Sequence, residues 1–222
     1  NKKKIYTWDD KEKKNKKKFN LFKKKLDEVD YIVISPGINI QKSKFKSKLF
    51  KYKKKLITDL DLFYMQKISI KSIVITGTNG KSTACKLTQH ILKTNKLDAQ
   101  LGGNIGKPVL DLKIKKKSTV IIEASSFQLA HAKFIKPTFA AILNIGSDHL
   151  DWHNTITNYK KSKFKIFSAQ DVNDVALLND DKLIKLFKKK KYLSKLKIVK
   201  KNSLNITAKK KIINDYLISE PN

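Results

Sequence analysis

The stretch Ile73 to Thr83, IVITGTNGKST, decides the fold. An apolar run, Ile73 to Ile75, breaks into Gly77, Thr78, Asn79 and Gly80, then into Lys81, Ser82 and Thr83. Ala84, Leu87, Thr88 and Ile91 follow at the spacing of one helix face. Strand, glycine turn and helix in that order form a phosphate-binding loop. Gly77 and Gly80 permit backbone that aims N–H groups inward, the helix start contributes its positive dipole end, and Lys81 supplies a point charge. Ser82 or Thr83 can then hold a Mg²⁺ that bridges two phosphates. The common spacing G-x-x-x-x-G-K-[ST] places a further glycine where this chain has Ile75, so the loop is a compact variant.

Working outward, VIIE at 120–123 precedes SSFQLAHA, and FAAILN at 139–144 precedes GSDHLDWH. Continuous apolar strands alternating with helices predict an α/β fold with a mostly parallel sheet covered on both faces. Ligands bind at the carboxyl ends of such strands, which here carry Gly77 to Thr83, Glu123 to Gln128 and Asn144 to His149. Upstream, KKIYTWDD reads as a short strand, and the run Tyr31 to Ile34 as another that closes on the turn Ser35, Pro36, Gly37. Leu56 to Lys67, with Leu60, Phe63 and Tyr64 in helical register, leads to a domain boundary near 66–69. That divides the chain into 1–66, part of an α/β unit, and 67–222. Downstream, DVALLND and KLKIVKK read as further strands separated by a lysine-rich amphipathic helix.

With 222 residues, 40% of them apolar, the chain has enough material for a packed core despite a formal charge of +31. Every basic residue is lysine and none is arginine, the preferred bidentate reader of phosphate and guanine. The lysines are spread along the whole chain, and aromatic stacking clusters are not conspicuous. A solvated lysine surface is therefore expected rather than a nucleic-acid-binding face. The single cysteine, Cys85, excludes an intramolecular disulfide and a C-x-x-C site, which points to a reducing cytoplasm. No apolar run approaches the roughly 18 residues of a membrane span.

Glu123 ends a strand on the same sheet edge as the loop, where a carboxylate can bind Mg²⁺ or position a water. Ser125, Ser126 and Gln128 follow at once and can either cap the next helix or reach a substrate. His149 and His153, at i and i+4 in DHLDWH, can share a zinc. Beside a nucleotide loop, one histidine at a Mg²⁺ site and one structural histidine is the better reading. Ile156, Tyr159, Lys163, Ile166 and Phe167 fall on one helical stripe, whereas Lys160, Lys161 and Lys165 do not. Lys163 thus lies among apolar residues. Its stem can pack while the ammonium snorkels outward, or its neutral amine can be favoured and react with CO₂ to a metal-binding carbamate.

TGTNGKST, GGNIGKP at 102–108, EASSFQL at 123–129 and LNIGSDHLDWH at 143–153, in that order, resemble the Mur ligases, and SPGI at 35–38 fits their first domain. The GGNIG and SSFQL pair is similar to the D-glutamate-adding branch. The related folylpolyglutamate synthases share the short loop and are the alternative. The resemblance implies ATP-dependent amide-bond synthesis through an acyl phosphate, with UDP-N-acetylmuramoyl-L-alanine and D-glutamate as substrates. Two Mg²⁺ ions are implied, one at Ser82 or Thr83 with Glu123, the other at His149 and a carbamylated Lys163. Lys81 would stabilise the transferring phosphoryl group. Residues Gly77 to Thr83 and Asn144 would line the nucleotide. Asn104, Ser125 and Gln128 would meet the muramoyl substrate, Gly37 its diphosphate and Asp9 its uridine. Residues 1–66 would be part of a UDP-binding Rossmann-like domain and 67–222 an incomplete ATP-binding domain. The amino-acid-binding C-terminal domain is missing, so turnover by this chain alone is not expected. The same resemblance implies a cytoplasmic monomer without nucleic-acid or membrane partners.

Overall fold

The computed structural model describes residues 5–7, 26–66 and 70–199. Asp9, the strand read at KKIYTWDD beyond residue 7 and the boundary residues 67–69 lie outside the described residues.

The first described elements are β1 (Ile32–Val33), α1 (Lys46–Lys51), β2 (Leu56–Ile57) and α2 (Asp59–Met65). β1 and β2 pair in parallel and form a two-stranded sheet with its own small core of Ile34, Ile40, Leu49 and Leu56. The expected helix over Leu56 to Lys67 therefore begins later, because Leu56 and Ile57 join the strand pair. Thr58 then starts the helix with a capping box: its hydroxyl accepts from the Asp61 amide and the Asp61 carboxylate accepts from the Thr58 amide.

The second sheet has six strands: β3 (Lys71–Thr76), β4 (Ala99–Gly103), β5 (Thr119–Glu123), β6 (Phe139–Ile142), β7 (Val175–Leu178) and β8 (Lys195–Ile198). All pair in parallel in the order β4-β5-β3-β6-β7-β8. The intervening helices are α3 (Lys81–Thr94), α4 (Ser126–His131), α5 (Leu150–His153), α6 (Ile156–Phe164) and α7 (Asp181–Lys189).

Alternation along the strands builds a core on each face. Val74, Val120, Ile122, Ala140, Ile142, Ala176 and Leu178 meet Leu60, Leu129, Phe164, Leu183 and Phe187 on one side. Ile75 and Ile121 meet Cys85 on the other, with Ala84 and Leu92 packed against them. Cys85 is the buried residue of α3; Ala84 of the expected face packs beside it, and Leu87, Thr88 and Ile91 are partly buried. On α7, Leu183, Ile184 and Phe187 are buried while Lys182, Lys185, Lys188 and Lys189 are exposed, so these lysines form a solvated face.

β4 is the strand that the pattern AQLGG did not mark, since two glycines erase the apolar signal. Both are required by close approach. A Cβ on Gly102 would lie 2.6 Å from the Lys107 carbonyl oxygen, and Gly103, at φ +106, is crowded by the Glu123 carbonyl in the same way. Gly103→Ala is expected to destabilise the fold by ~2 kcal/mol or more. A drop in the urea midpoint at unchanged slope is the measurement that checks this.

Candidate active site

The elements converge at the carboxyl end of the sheet. Between β3 and α3 the loop Gly77 to Gly80 turns on Gly80, which takes φ +79 as the helix N-cap. The loop is held by Asn144, at the end of β6. Asn144 Oδ1 accepts from the Thr78 and Asn79 amides at 3.1 and 2.9 Å, and Asn144 Nδ2 donates to the Asn79 carbonyl at 3.0 Å. Asn144 is thereby a latch on the phosphate loop. The amides at the start of α3 are the remaining donors for an anion. Lys81 folds back, its Nζ donating to the carbonyls of Gly77 and Thr78 at 3.0 and 2.7 Å.

Glu123, the last residue of β5, is 2% exposed. Its Oε2 accepts from Ser82 Oγ at 2.7 Å, and its Oε1 accepts from Asn104 Nδ2 at 2.9 Å. Register explains the meeting: Ile75 pairs with Glu123 across adjacent strands, so the acid lies beside the loop that leaves β3. Ser82 and not Thr83 makes this contact. Among the described residues no three His, Cys, Asp or Glu side chains cluster as a metal cage. An oxygen set of one carboxylate and one hydroxyl suits Mg²⁺, which keeps its waters and takes substrate phosphates as further ligands.

Lys163 on α6 is 1% exposed, which removes the snorkelling alternative. Its Nζ donates to the Gly77 carbonyl at 2.7 Å, the same oxygen that Lys81 uses, and sits 4.6 Å from the Tyr159 ring centre. Burial, reinforced by the charge of Lys81 and opposed by Asp148, pushes its pKa down to about 7. Lys165 lies off the stripe that carries Lys163 but is not free in solvent. It is half-buried, with Nζ donating to the Ala130 and Ala132 carbonyls at the end of α4, and burial lowers it to about 8.

The two histidines occupy different surroundings. His149, in the left-handed region at φ 51, is exposed, pairs with Asp148 at 3.3 Å and rests against Phe127, ring centres 4.7 Å apart. His153 is buried, with Nε2 3.0 Å from Ser126 Oγ and its ring stacked on Phe127. His149 and Lys163 do not touch; the Tyr159 ring neighbours both. Burial pushes His153, and His131 near it, down to about 4. Both stay neutral in the folded chain and take up protons near 6.5 once unfolded, so the unfolded state binds more protons between those values. Stability is therefore complete above pH 6.5 and falls as pH drops toward 4. Melting temperatures across that window should decline, and His131→Phe should flatten the decline.

Ser125 and Gln128 are brought together as a reciprocal capping box on α4, and Gln128 Nε2 donates to Asp59 Oδ2 at 3.2 Å. Gly37 lies in an exposed turn closed by Ile38 N–H donating to the Ser35 carbonyl. Two residues on, Asn39 Nδ2 donates to the Trp152 carbonyl at 2.8 Å, so the SPGI turn docks beside the LDWH helix. A cleft of about 360 Å³ opens over the ends of β6 and β7, bounded by Asn144, Lys160, Asn179, Asp180 and Lys182. The Asn144 latch, the Ser126 to His153 contact and the position of Tyr159 were not anticipated. Tyr159 alone carried a signal, its place on the stripe with Lys163.

The family model of the Mur ligase middle domain matches residues 75–218. The chain belongs to this family. Among curated proteins, this Mur ligase chain is 41% identical over 153 residues to UDP-N-acetylmuramoylalanine--D-glutamate ligase of Rickettsia felis, covering 69% of this chain and 34% of that protein. It is 40% identical over 161 residues to the protein of the same name from Aquifex aeolicus, covering 72% and 38%. The chain thus spans about a third of the length of these relatives. Among solved structures, MurF ligase from Thermotoga maritima in complex with ADP superposes with TM-score 0.51 at 18% identity, over 78% of this chain and 51% of that one. That likeness confirms the fold. No helix among the described residues is long and apolar enough to cross a membrane.

Proposed function

We propose that this Mur ligase chain is the nucleotide-handling part of an ATP-dependent ligase that joins D-glutamate to UDP-N-acetylmuramoyl-L-alanine. The observation that carries the reading is the meeting of Glu123 with Ser82 at the phosphate loop, with the buried Lys163 amine on that loop's Gly77 carbonyl. The names of the relatives supply the substrates. Residues 1–66 would belong to the uridine-nucleotide-binding domain, Gly37 turning toward the diphosphate, and 67–222 to the ATP-binding domain.

In this reading the alanyl carboxylate attacks the γ-phosphorus of ATP and ADP leaves. The amine of D-glutamate then attacks the acyl phosphate, inorganic phosphate departs with one carboxylate oxygen, and the nitrogen gives up its surplus protons to solvent and keeps one as the amide N–H. The α3 amides and Lys81 hold the β- and γ-phosphates, Lys81 leaving the Gly77 and Thr78 carbonyls to do so. The cleft beside Asn144 receives the nucleoside. Ser82 and Glu123 would hold one Mg²⁺, and His149 with a carbamylated Lys163 the second. The ions supply charge neutralisation on the transferring phosphoryl group. Lys163 qualifies for carbamylation because its neutral form is accessible near pH 7. Asn104 would orient the muramoyl carboxylate region while fixing Glu123. Ser125 and Gln128 would act on the substrate through the N-terminus of α4 that they cap.

In the complete polypeptide, ADP release should require both the muramoyl-alanine nucleotide and D-glutamate. Release that ignores the amino acid, or that needs a folate instead, would overturn the assignment.

A further inference from the structure

Tyr159 has no part in the roles above, yet it touches both halves of the site. Its hydroxyl lies 3.0 Å from Thr78 Oγ1, which also accepts the Gly146 amide at 2.9 Å. One helical turn later on the same face of α6, Lys163 places its Nζ 4.6 Å from the centre of the Tyr159 ring. The ring also packs edge-on against His149 and His153, at 6.4 and 5.2 Å. The side chain is 1% exposed. Packing alone is served equally by phenylalanine, whereas a buried phenol needs a partner, and here that partner belongs to the phosphate loop.

We propose that Tyr159 is a positioning residue for nucleotide binding: its hydroxyl fastens the phosphate loop at Thr78 to the helix that carries Lys163. The inference rests on the nucleotide reading above and adds what holds the two halves of the site in one register. Thr78 is gripped from two directions. Asn144 takes its backbone amide, and Tyr159 takes its side chain. Without the phenol, the Thr78 side chain keeps only the Gly146 amide among these contacts, and the loop gains conformations in which the α3 amides are misaligned for phosphate. The α6 helix keeps its ring packing in a phenylalanine variant, so the loss should fall on ligand binding rather than on the fold.

The test uses the complete polypeptide and titrates ADP with Mg²⁺ by calorimetry. The set is the wild type, Tyr159→Phe, Thr78→Ala and the double variant. Each single variant should bind ADP ~3- to 10-fold more weakly, the range of one neutral hydrogen bond. The double variant should be no weaker than the worse single one, because both remove the same contact. In turnover, Tyr159→Phe should raise KM for ATP and leave kcat within ~2-fold, a split that a general loss of folded protein would not give. Wild-type affinity in Tyr159→Phe, or losses that multiply in the double variant, would overturn the proposal. If Tyr159→Phe fails to fold, Thr78→Ala decides, and wild-type ADP affinity there overturns it equally. A wild type that binds no ADP would remove the nucleotide reading itself, and the inference with it.

Discussion

Lys163→Ala should lower turnover by about three orders of magnitude, and a short carboxylic acid such as acetate or propionate should restore part of it. Magnitude and rescue follow from the same feature. Lys163 is 1% exposed, its amine donates to the Gly77 carbonyl of the phosphate loop, and its pKa is pushed down to about 7 by burial and by Lys81. In the proposed two-magnesium site a reactive neutral amine would be a means of placing a carboxylate, and losing a charge-stabilising group in such a setting costs ~10²- to 10³-fold or more. Truncation to alanine leaves a cavity of the right length for a free acid. Lys163→Met, which fills the same space without an amine, should be as inactive and should not be rescued. Melting curves of both variants separate a loss of fold from a loss of chemistry. Near-normal turnover in Lys163→Ala would reduce this lysine to a packing and hydrogen-bonding role.

Glu123→Gln is expected to lower turnover by ~10²- to 10³-fold and to raise the Mg²⁺ concentration needed for half-maximal activity. The substitution conserves shape. A glutamine oxygen can still accept from Ser82 Oγ, and the backbone contact to Asn104 N–H is untouched. What disappears is the negative charge at the end of β5, together with the acceptor for Asn104 Nδ2. The side chain is buried next to the loop, and among the described residues no group of three or more acidic, histidine or cysteine side chains forms an alternative metal cage. A Mg²⁺ titration of the complete polypeptide distinguishes this from a simple weakening of ATP binding, which would leave the metal requirement unchanged. An unaltered Mg²⁺ dependence would remove Glu123 from the metal site.

The sheet could be read from the sequence because each of its inner strands is an uninterrupted apolar run followed by a polar tip, and those tips are where the site forms. The places where reading failed are local and have physical reasons. In β4 two glycines, needed for close approach to Lys107 and Glu123, erase the apolar pattern that marks a strand. On α3 the fully buried residue is Cys85, one position beyond Ala84 of the expected face, and the spacing of Leu87 and Ile91 fits a helix face equally well. Lys165 lies off the stripe that carries Lys163, yet the carbonyls ending α4 recruit its ammonium. The contacts of Asn144 and Tyr159 with the loop span 65 and 81 positions, and spacing along a chain has no information on such meetings. The contact of Glu123 with Ser82 spans 41 positions; the sequence placed Glu123 on the same sheet edge as the loop, and only the family resemblance named Ser82 or Thr83 as its companion.

The most direct test of the central claim follows oxygen rather than rate. With UDP-N-acetylmuramoyl-L-alanine carrying ¹⁸O in its alanyl carboxylate, the complete polypeptide should transfer one labelled oxygen to inorganic phosphate for each amide formed with D-glutamate. Phosphate released without the label, while ADP accumulates, would show that water and not the carboxylate receives the phosphoryl group, and would contradict an acyl-phosphate ligase.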